Sequence, residues 1–539
     1  MSLRIRDDFV QLESEIGSST AQVVAGGTLT IPSSMPAADR VVKMSATARV
    51  KEYWHEEDRV NVEGVVSVNL IYAGQYDQGQ AYYGSLQSPE VATFSHFIDI
   101  PGTLPGMSST CTAAVLDLQP TLRSDNRTVD VDFVLEVYGS VVEGKELAYL
   151  TDVQLGFPEK LEVTKDTLRL QDVVGTGEAR TELKDVLSIP IGGAPPVRVL
   201  ELVGVFQAAE NRAAVDRAAV TGTMSYKALC AVISEQMEEE QLQVYRWDHI
   251  TRVELNAEIP GSRPGMVIKL DLKEPALINR VINDGQAIAV EGVQEALLKV
   301  VQAKDAVVVT NLVPGPDLKL GMREESVTVD QVEDSVSKDL HVNGSVDLPD
   351  SKPPLERLLD VEAQAVVTNI ALSGGRVNVS GYLDLTALYV ARTDDFTQPA
   401  YYANWNYAET FETGFSMPAL SADTNFEAEA KVLNVQGEPL SRETIGFNVS
   451  LKVKCQTKEA VTKSIITEAV ELRHFAGRYP TYTSVTIQAD DTLWQLATKY
   501  GVTTEALLEQ NPILAELDDY SVLPVGNKIL ISKQGSALV

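Results

Sequence analysis

The residues of this 539-residue chain that could carry chemistry are five histidines, three cysteines and a large surplus of carboxylates. His55, His96, His249, His341 and His474 share no spacing that would let two of them hold one metal ion, and each reads as a surface or turn residue. Cys111, Cys230 and Cys455 are too few and too scattered for a disulfide framework or a zinc cluster, and each sits in or beside an apolar run, as a small buried hydrophobe would. Gly175-Thr176-Gly177-Glu178-Ala179-Arg180 opens like a dinucleotide loop but lacks the third glycine and a following helix, so it reads as a turn. The chain has no G-x-S-x-G elbow, phosphate-binding loop or H-E-x-x-H helix. With 76 acidic against 45 basic residues, two carboxylates could meet as in a glycosidase, but no candidate pocket singles out a pair. The expectation is a protein that is not an enzyme, with no catalytic residue, no metal and no cofactor.

Charge bounds the partners. A formal net charge of −31, with 22% charged and 44% hydrophobic residues, belongs to a chain that buries cores and repels phosphate. Nucleic acid and anionic membrane surfaces are therefore disfavoured. The opening Met1-Ser2-Leu3-Arg4-Ile5-Arg6-Asp7-Asp8 has no apolar stretch behind its arginines, which argues against a secretory leader and for synthesis in the cytoplasm. No window approaches the roughly 18 apolar residues of a membrane span.

The elements that must position any site repeat along the chain. Arg59-Val60-Asn61-Val62-Glu63-Gly64 recurs as Arg217-Ala218-Ala219-Val220-Thr221-Gly222 and as Arg376-Val377-Asn378-Val379-Ser380-Gly381, with the glycines 158 and 159 residues apart. In the same register, Ile100-Pro101-Gly102-Thr103-Leu104-Pro105-Gly106-Met107 returns as Ile259-Pro260-Gly261-Ser262-Arg263-Pro264-Gly265-Met266, and Met417-Pro418-Ala419-Leu420 is a worn third copy. Ile31-Pro32, Ile189-Pro190 and Leu348-Pro349 each lie ahead of an arginine, Arg40, Arg198 and Arg357, at one common distance. Each copy is also doubled: Ala48-Arg49-Val50 leads to Arg59-Val60 as Ala113-Ala114-Val115 leads to Thr128-Val129.

The local period is two. Val60, Val62, Gly64, Val66 and Val68 alternate with other residues, as do Val129, Val131, Phe133, Leu135 and Val137, and Ile445, Phe447, Val449, Leu451 and Val453. Such alternation puts one face in a core and the other in water, as in an antiparallel sheet. Ser124-Asp125-Asn126 and Ser373-Gly374-Gly375 separate the runs at hairpin distance. The fold class that follows is mainly β: three tandem antiparallel β-sandwich-like modules, each of two half-modules, over 1–165, 166–324 and 325–475. Leu312-Val313-Pro314-Gly315-Pro316 stiffens one junction, so the expected arrangement is a stiff row of modules whose edge strands are free to pair with other copies.

Other singled-out groups have bland readings. The acidic run Glu235-Gln236-Met237-Glu238-Glu239-Glu240 reads as a solvated hairpin tip, or as a contact for calcium or a basic partner. The recurring Arg59, Arg217 and Arg376 read as internal salt bridges or strand-end hydrogen bonds, or as a docking contact repeated three times. Tyr401, Tyr402, Trp405 and Tyr407 form the densest aromatic patch, with buried cross-strand pairing expected.

Beyond a linker at 476–483 the pattern changes. Ser484-Val485-Thr486-Ile487 is a short strand, Asp490-Asp491-Thr492 offers a cap, and Leu493, Leu496, Ala497 and Tyr500 fall on one helix face. Gly501 stops that helix; Thr503 caps a second one, which Asn511-Pro512 ends, and Lys528-Ile529-Leu530-Ile531 closes a βααβ unit. On Asp491-Thr492-Leu493-Trp494, Lys499-Tyr500-Gly501-Val502, Asn511-Pro512, Val525-Gly526 and Ile529-Leu530-Ile531, residues 484–533 resemble a LysM domain. They depart from its pattern in having Asp490 where the family has glycine. The resemblance implies binding of N-acetylglucosamine-containing chains such as peptidoglycan, or docking of a protein, in a groove between Asp491, Thr492 and Leu493 on one side and Asn511, Pro512, Ile513 and Leu514 on the other.

With that end identified, the repeat texture resembles the SPOCS-repeat plus LysM (SipL-like) spore-coat morphogenetic family of endospore-forming bacteria. That resemblance implies a sporulation role alongside a coat-basement protein, in the mother cell and then at the spore surface. The expected function is a structural scaffold that self-associates into a layer or fibre through its β modules and attaches through its LysM end. The alternatives are a wall-binding anchor or adhesin with spacer repeats, and an extracellular homopolymeric fibre subunit released on lysis.

Overall fold

The computed structural model describes residues 3–76, 79–155, 161–233, 239–314, 320–373, 375–391, 400–416, 424–471, 482–489, 491–500, 502–515 and 523–532. The first module runs through β1 (Arg4–Thr30), β2 (Ala38–Glu56), β3 (Arg59–Gln75), β4 (Ala81–Asp99), β5 (Ser108–Leu122) and β6 (Thr128–Gln154). Its two antiparallel sheets, ordered β2-β3-β4 and β1-β6-β5, pack face to face on Val60, Val62, Tyr72, Phe94, Phe133 and Leu135. The doubling in the sequence is this pair of sheets, β2–β3 and β5–β6 being equivalent hairpins.

The second module repeats the plan with β7 (Leu161–Ser188), β8 (Pro196–Ala214), β9 (Arg217–Ile233), β10 (Glu240–Glu258), β11 (Val267–Leu272), β12 (Ala276–Ile282) and β13 (Ala287–Pro314). Here the counterpart of β5 is split into β11 and β12, interrupted at Pro275, which has no amide to give the ladder. The third module is β14 (Leu320–Asp347), β15 (Leu355–Ser373), β16 (Arg376–Ala391), β17 (Ala400–Ser416), β18 (Thr424–Pro439) and β19 (Thr444–Glu471). The strands that open modules two and three, β7 and β14, are described from Leu161 and Leu320 and are longer than the sandwiches they enter.

The repeated markers are structural corners. Asp58, at the β2–β3 turn, accepts the Gly102 amide at 2.7 Å, and Asp216 accepts Gly261 in the same way at 2.7 Å. Gly102 and Gly106 lie at φ 90° and 95°, Gly261 and Gly265 at 86° and 93°, in the left-handed region where a side chain is strained. The third copy, Met417 to Leu420, lies outside the described residues. Gly64, Gly222 and Gly381 recur for a packing reason: a Cβ at Gly64 would fall 2.2 Å from the Phe94 ring, with Phe206 and Phe411 crossing the other two glycines. Gly175-Thr176-Gly177 is strand, not turn, because its small residues let β7 lie close under Ala257 and Ile259.

The modules do not form a row. Each pairs its first and last strands well past its sandwich, so that β1–β6, β7–β13 and β14–β19 extend as two-stranded ribbons. The ribbons bundle into a stem, with Val10, Leu168 and Val327 meeting Leu147, Ala306 and Ile465 in a buried apolar core. The meander sheets also converge, burying Val42, Ile71, Tyr83, Leu200, Leu229, Leu242, Leu388 and Ala400 between modules. Every module touches both others, through β4 with β8 and β10, β10 with β15, and β17 with β2. The result is one closed block around a pseudo-threefold axis.

This convergence explains the burial of the central strands. β9 alternates buried and half-buried residues through Tyr226, then is buried without a break from Ala228 to Val232. Ala228, Cys230 and Val232 face their own sandwich, whereas Leu229 and Ala231 face the neighbouring modules.

Candidate functional site

The terminal unit is β20 (Tyr482–Thr486), α1 (Leu493–Tyr500), α2 (Thr504–Gln510), α3 (Pro512–Ala515) and β21 (Lys528–Ser532). The βααβ order expected from the sequence is present, with one added helical turn after Asn511. Thr492 and Gln495 form a capping box: the Thr492 hydroxyl accepts the Gln495 amide at 3.1 Å and the Gln495 side chain accepts the Thr492 amide at 3.2 Å. Thr503 caps α2 by accepting the Ala506 amide at 3.2 Å.

The seven groove residues expected from the sequence divide sharply. Leu493, Leu496, Leu507, Leu514, Ile529 and Ile531 build the core of the unit, so the side chains of Leu493 and Leu514 face inward. Asn511 is 5% exposed, donates to Leu507 O and Leu530 O at 2.8 Å each, and accepts the Leu530 amide at 2.7 Å. It stitches α2 to β21 and spends its side chain there. Asp491 is half-buried and accepts the Gln488 amide at 2.8 Å. Pro512 and Ile513 are exposed and form the open rim. Asp490 and Gly501 lie outside the described residues.

Helix α1 packs on β19, at the tip of the stem. There the Thr492 hydroxyl donates to Glu468 at 2.7 Å, and the other oxygen of Glu468 accepts from Arg323 at 3.1 Å. The hydroxyl is thus occupied on both sides, by Gln495 and by the stem.

The second concentration of charge is the axis itself. Lys43, Glu201 and Asp360 hold one repeat position, and the Lys43 ammonium meets Glu201 at 2.7 Å with both side chains about nine-tenths buried. Lys227 donates to Asp360 at 2.9 Å and to Glu362, and Arg246 pairs with Asp360. Lys43, Glu201, Lys227, Asp360 and Glu362 line a small cavity with Thr386. Burial opposes the Lys43 charge, but Glu362 and Glu201 outweigh it, so its pKa is raised above the ordinary lysine value. For Glu362, burial is likewise outweighed by Lys43 and Lys227, which hold its carboxyl below the usual range.

The recurring arginines after the proline markers are the joints. Arg198 donates to Tyr83 O at 3.2 Å across to the first module and pairs with buried Glu240. Arg357 reaches Leu242 O of the second module at 3.2 Å, and Arg40 lies 4.3 Å over the ring of Tyr401 in the third. Glu240, expected at a solvated tip, is buried and also accepts the Tyr83 amide and the Tyr76 hydroxyl, each at 2.9 Å. Residues 235–238 of that acidic run lie outside the described residues. Tyr401 and Tyr402 belong to the same joints, Trp405 donates to Asp347 O at 2.8 Å, and the Tyr407 side chain lies outside the description.

The stem carries a set that sequence reading missed. Lys145 pairs with Glu325, Lys304 with Asp8 at 2.8 Å, and Lys463 with Asp166. The lysines stand 159 residues apart and their acids 158 and 159 apart, the spacing of the glycine markers. Aligning charges as well as glycines on that period would have exposed them.

The remaining singled-out groups are local. His55 bonds Ser109 at 2.6 Å, His249 bonds Thr223 at 2.9 Å, and His341 bonds Ser450 at 3.0 Å, while His96 stacks on Phe97 and His474 is not described. Burial pushes the Cys111 thiol up to about 11 and Cys230 to about 12. Arg59 lies 3.8 Å from Glu56 and over Phe97, as a strand-end pair. Among the described residues, no group of three or more His, Cys, Asp or Glu is placed to hold a metal ion, and no helix is long and apolar enough to cross a membrane.

Comparison with known families finds matches at two places. Residues 37–123 match the family model for the SipL SPOCS domain, and residues 485–532 match the LysM domain. The first match covers β2 to β5, one meander sheet and the strand that follows its corner. No curated protein and no solved structure matches the chain.

Proposed function

The chain joins a SipL-type SPOCS domain to a C-terminal LysM domain, and from that premise we propose a non-enzymatic scaffold of the spore envelope. In this reading the three β modules act as one rigid pedestal, and the LysM unit at the stem tip attaches it to N-acetylglucosamine-containing glycan of the peptidoglycan type. The two family matches support a sporulation-related, peptidoglycan-binding protein; synthesis in the mother cell and retention at the spore surface belong to the same proposal.

One observation carries the pedestal: equivalent residues of all three modules, Arg40, Arg198 and Arg357 above and Lys145, Lys304 and Lys463 in the stem, each reach into a neighbouring module. Spacer repeats would not exchange charged contacts with both neighbours at equivalent positions. Growth of a layer or fibre, or docking of a coat-basement protein, would have to use other surfaces, because the faces that join repeats are spent within one chain.

The test is cosedimentation with purified spore peptidoglycan, comparing the full chain with a chain ending at 479. The full chain is expected in the pellet and the truncated one in the supernatant. Equal pelleting of both would overturn attachment through the LysM unit. Sedimentation velocity on the full chain reads assembly separately, a layer-former giving concentration-dependent large species.

A further inference from the structure

The LysM groove is not simply presented to solvent. The Thr492 hydroxyl has one proton to donate, and that proton goes to Glu468 of the stem at 2.7 Å, while the amide of Gln495 takes the acceptor side at 3.1 Å. Glu468 is itself held, its second oxygen accepting from Arg323 at 3.1 Å on the paired strand. Its side chain is 18% exposed, so water competes weakly for the carboxylate. The opposite rim, Pro512 and Ile513, stays open. One side of the groove is therefore free and the other is bonded to the stem.

We propose that the stem tip latches the LysM unit: the Arg323–Glu468 pair occupies Thr492, and a glycan gains this side of the groove only when the unit comes off the stem. The proposal rests on the glycan reading above. A ligand binding the released form gains affinity when the latched population falls, in proportion to the fraction freed. A charge-assisted hydrogen bond at a part-buried site supports a shift of roughly threefold to tenfold. Residues of the stem that touch no sugar would then set the apparent affinity of the whole chain.

The experiment uses the full chain and its Glu468→Ala and Arg323→Ala variants. Binding of an N-acetylglucosamine hexamer is measured by calorimetry, and amide hydrogen exchange over 491–500 is followed without ligand. The expected result is threefold to tenfold tighter binding by E468A, a smaller gain for R323A, and faster exchange in α1 of both. Equal affinity of wild type and E468A, with binding present, overturns the latch and leaves the glycan reading standing. Unchanged exchange in E468A also overturns it. Absence of hexamer binding by all three proteins overturns the glycan reading and the gating with it.

Discussion

Replacing Glu240 by alanine would test the joint between the first two modules. The carboxylate is 6% exposed, pairs with Arg198, and accepts both the Tyr83 amide and the Tyr76 hydroxyl at 2.9 Å. Truncation strands a buried backbone amide, a loss of about 1–3 kcal/mol. It also leaves a guanidinium without its counter-charge; for a fully buried pair that costs about 3–5 kcal/mol. Arg198 is 30% exposed, so water recovers part of this, and we expect a combined loss of about 3 kcal/mol, or two decades in the unfolding equilibrium. Glu240→Gln, which keeps an acceptor but not the charge, should lose about 1–2 kcal/mol. Urea unfolding of the full chain measures both, and hydrogen exchange at the Tyr83 amide localises the damage. A loss below about 0.5 kcal/mol for E240A, the scale of an ordinary surface change, with Tyr83 still protected, would refute the claim that this joint holds the block together.

The seam between the third and first modules should respond in the opposite direction. Ala81 occupies the position of Glu240, and both terminal nitrogens of Arg40 are buried without a hydrogen-bond partner among the described residues, so Ala81→Glu should stabilise by about 1 kcal/mol in the same assay. Gly222→Ala would place a Cβ 2.2 Å from Gln207 O and 2.6 Å from the Phe206 ring, and should cost about 2 kcal/mol or more, read as a lowered Tm. The axis also predicts a pH profile. Because Glu362 is held below its ordinary range, its contribution is present above its unfolded pKa and lost as pH falls through the folded value. The contribution of Lys43, whose pKa is raised, is present below its unfolded value and lost as pH rises through the folded one; because Glu362 is the first of the charges that raise it, E362Q should flatten the acid limb and weaken the alkaline limb as well.

The sandwiches were legible because alternation is local: Val60, Val62 and Val68 declare a half-buried strand without reference to anything distant. The terminal unit was legible because caps and stops, Thr492, Thr503 and Asn511-Pro512, act within a few residues. The closed block was not, because its contacts join residues more than 100 positions apart, such as Lys43 with Glu201 and Arg357 with Leu242. A trace of it is present all the same. Ala228-Leu229-Cys230-Ala231-Val232 breaks the period of two with an unbroken apolar run, and a strand buried on both faces needs a second partner. The groove was half legible: motif matching places Asn511 and Leu514 beside it, but only packing reveals that their side chains serve the fold.

The charges on the axis give a reason for three modules to be carried by one chain. In a trimer of identical modules the position of Lys43 would be filled three times by one residue, setting three like charges against each other in a partly dehydrated space. The chain instead places lysine, glutamate and aspartate there, as Lys43, Glu201 and Asp360, and adds Lys227, Arg246 and Glu362 around them. Three cations then face three anions, each within reach of an opposite partner. Such a set is sensitive to order, since exchanging two modules would bring Lys43 beside Lys227 and strand an acid. Single-chain linkage lets the copies diverge until each fits one place. A chain with its first and second modules exchanged should therefore keep its sandwiches, as read by far-ultraviolet circular dichroism, and lose the cooperative unfolding of the block; undiminished cooperativity would mean that the axial charges do not specify the arrangement.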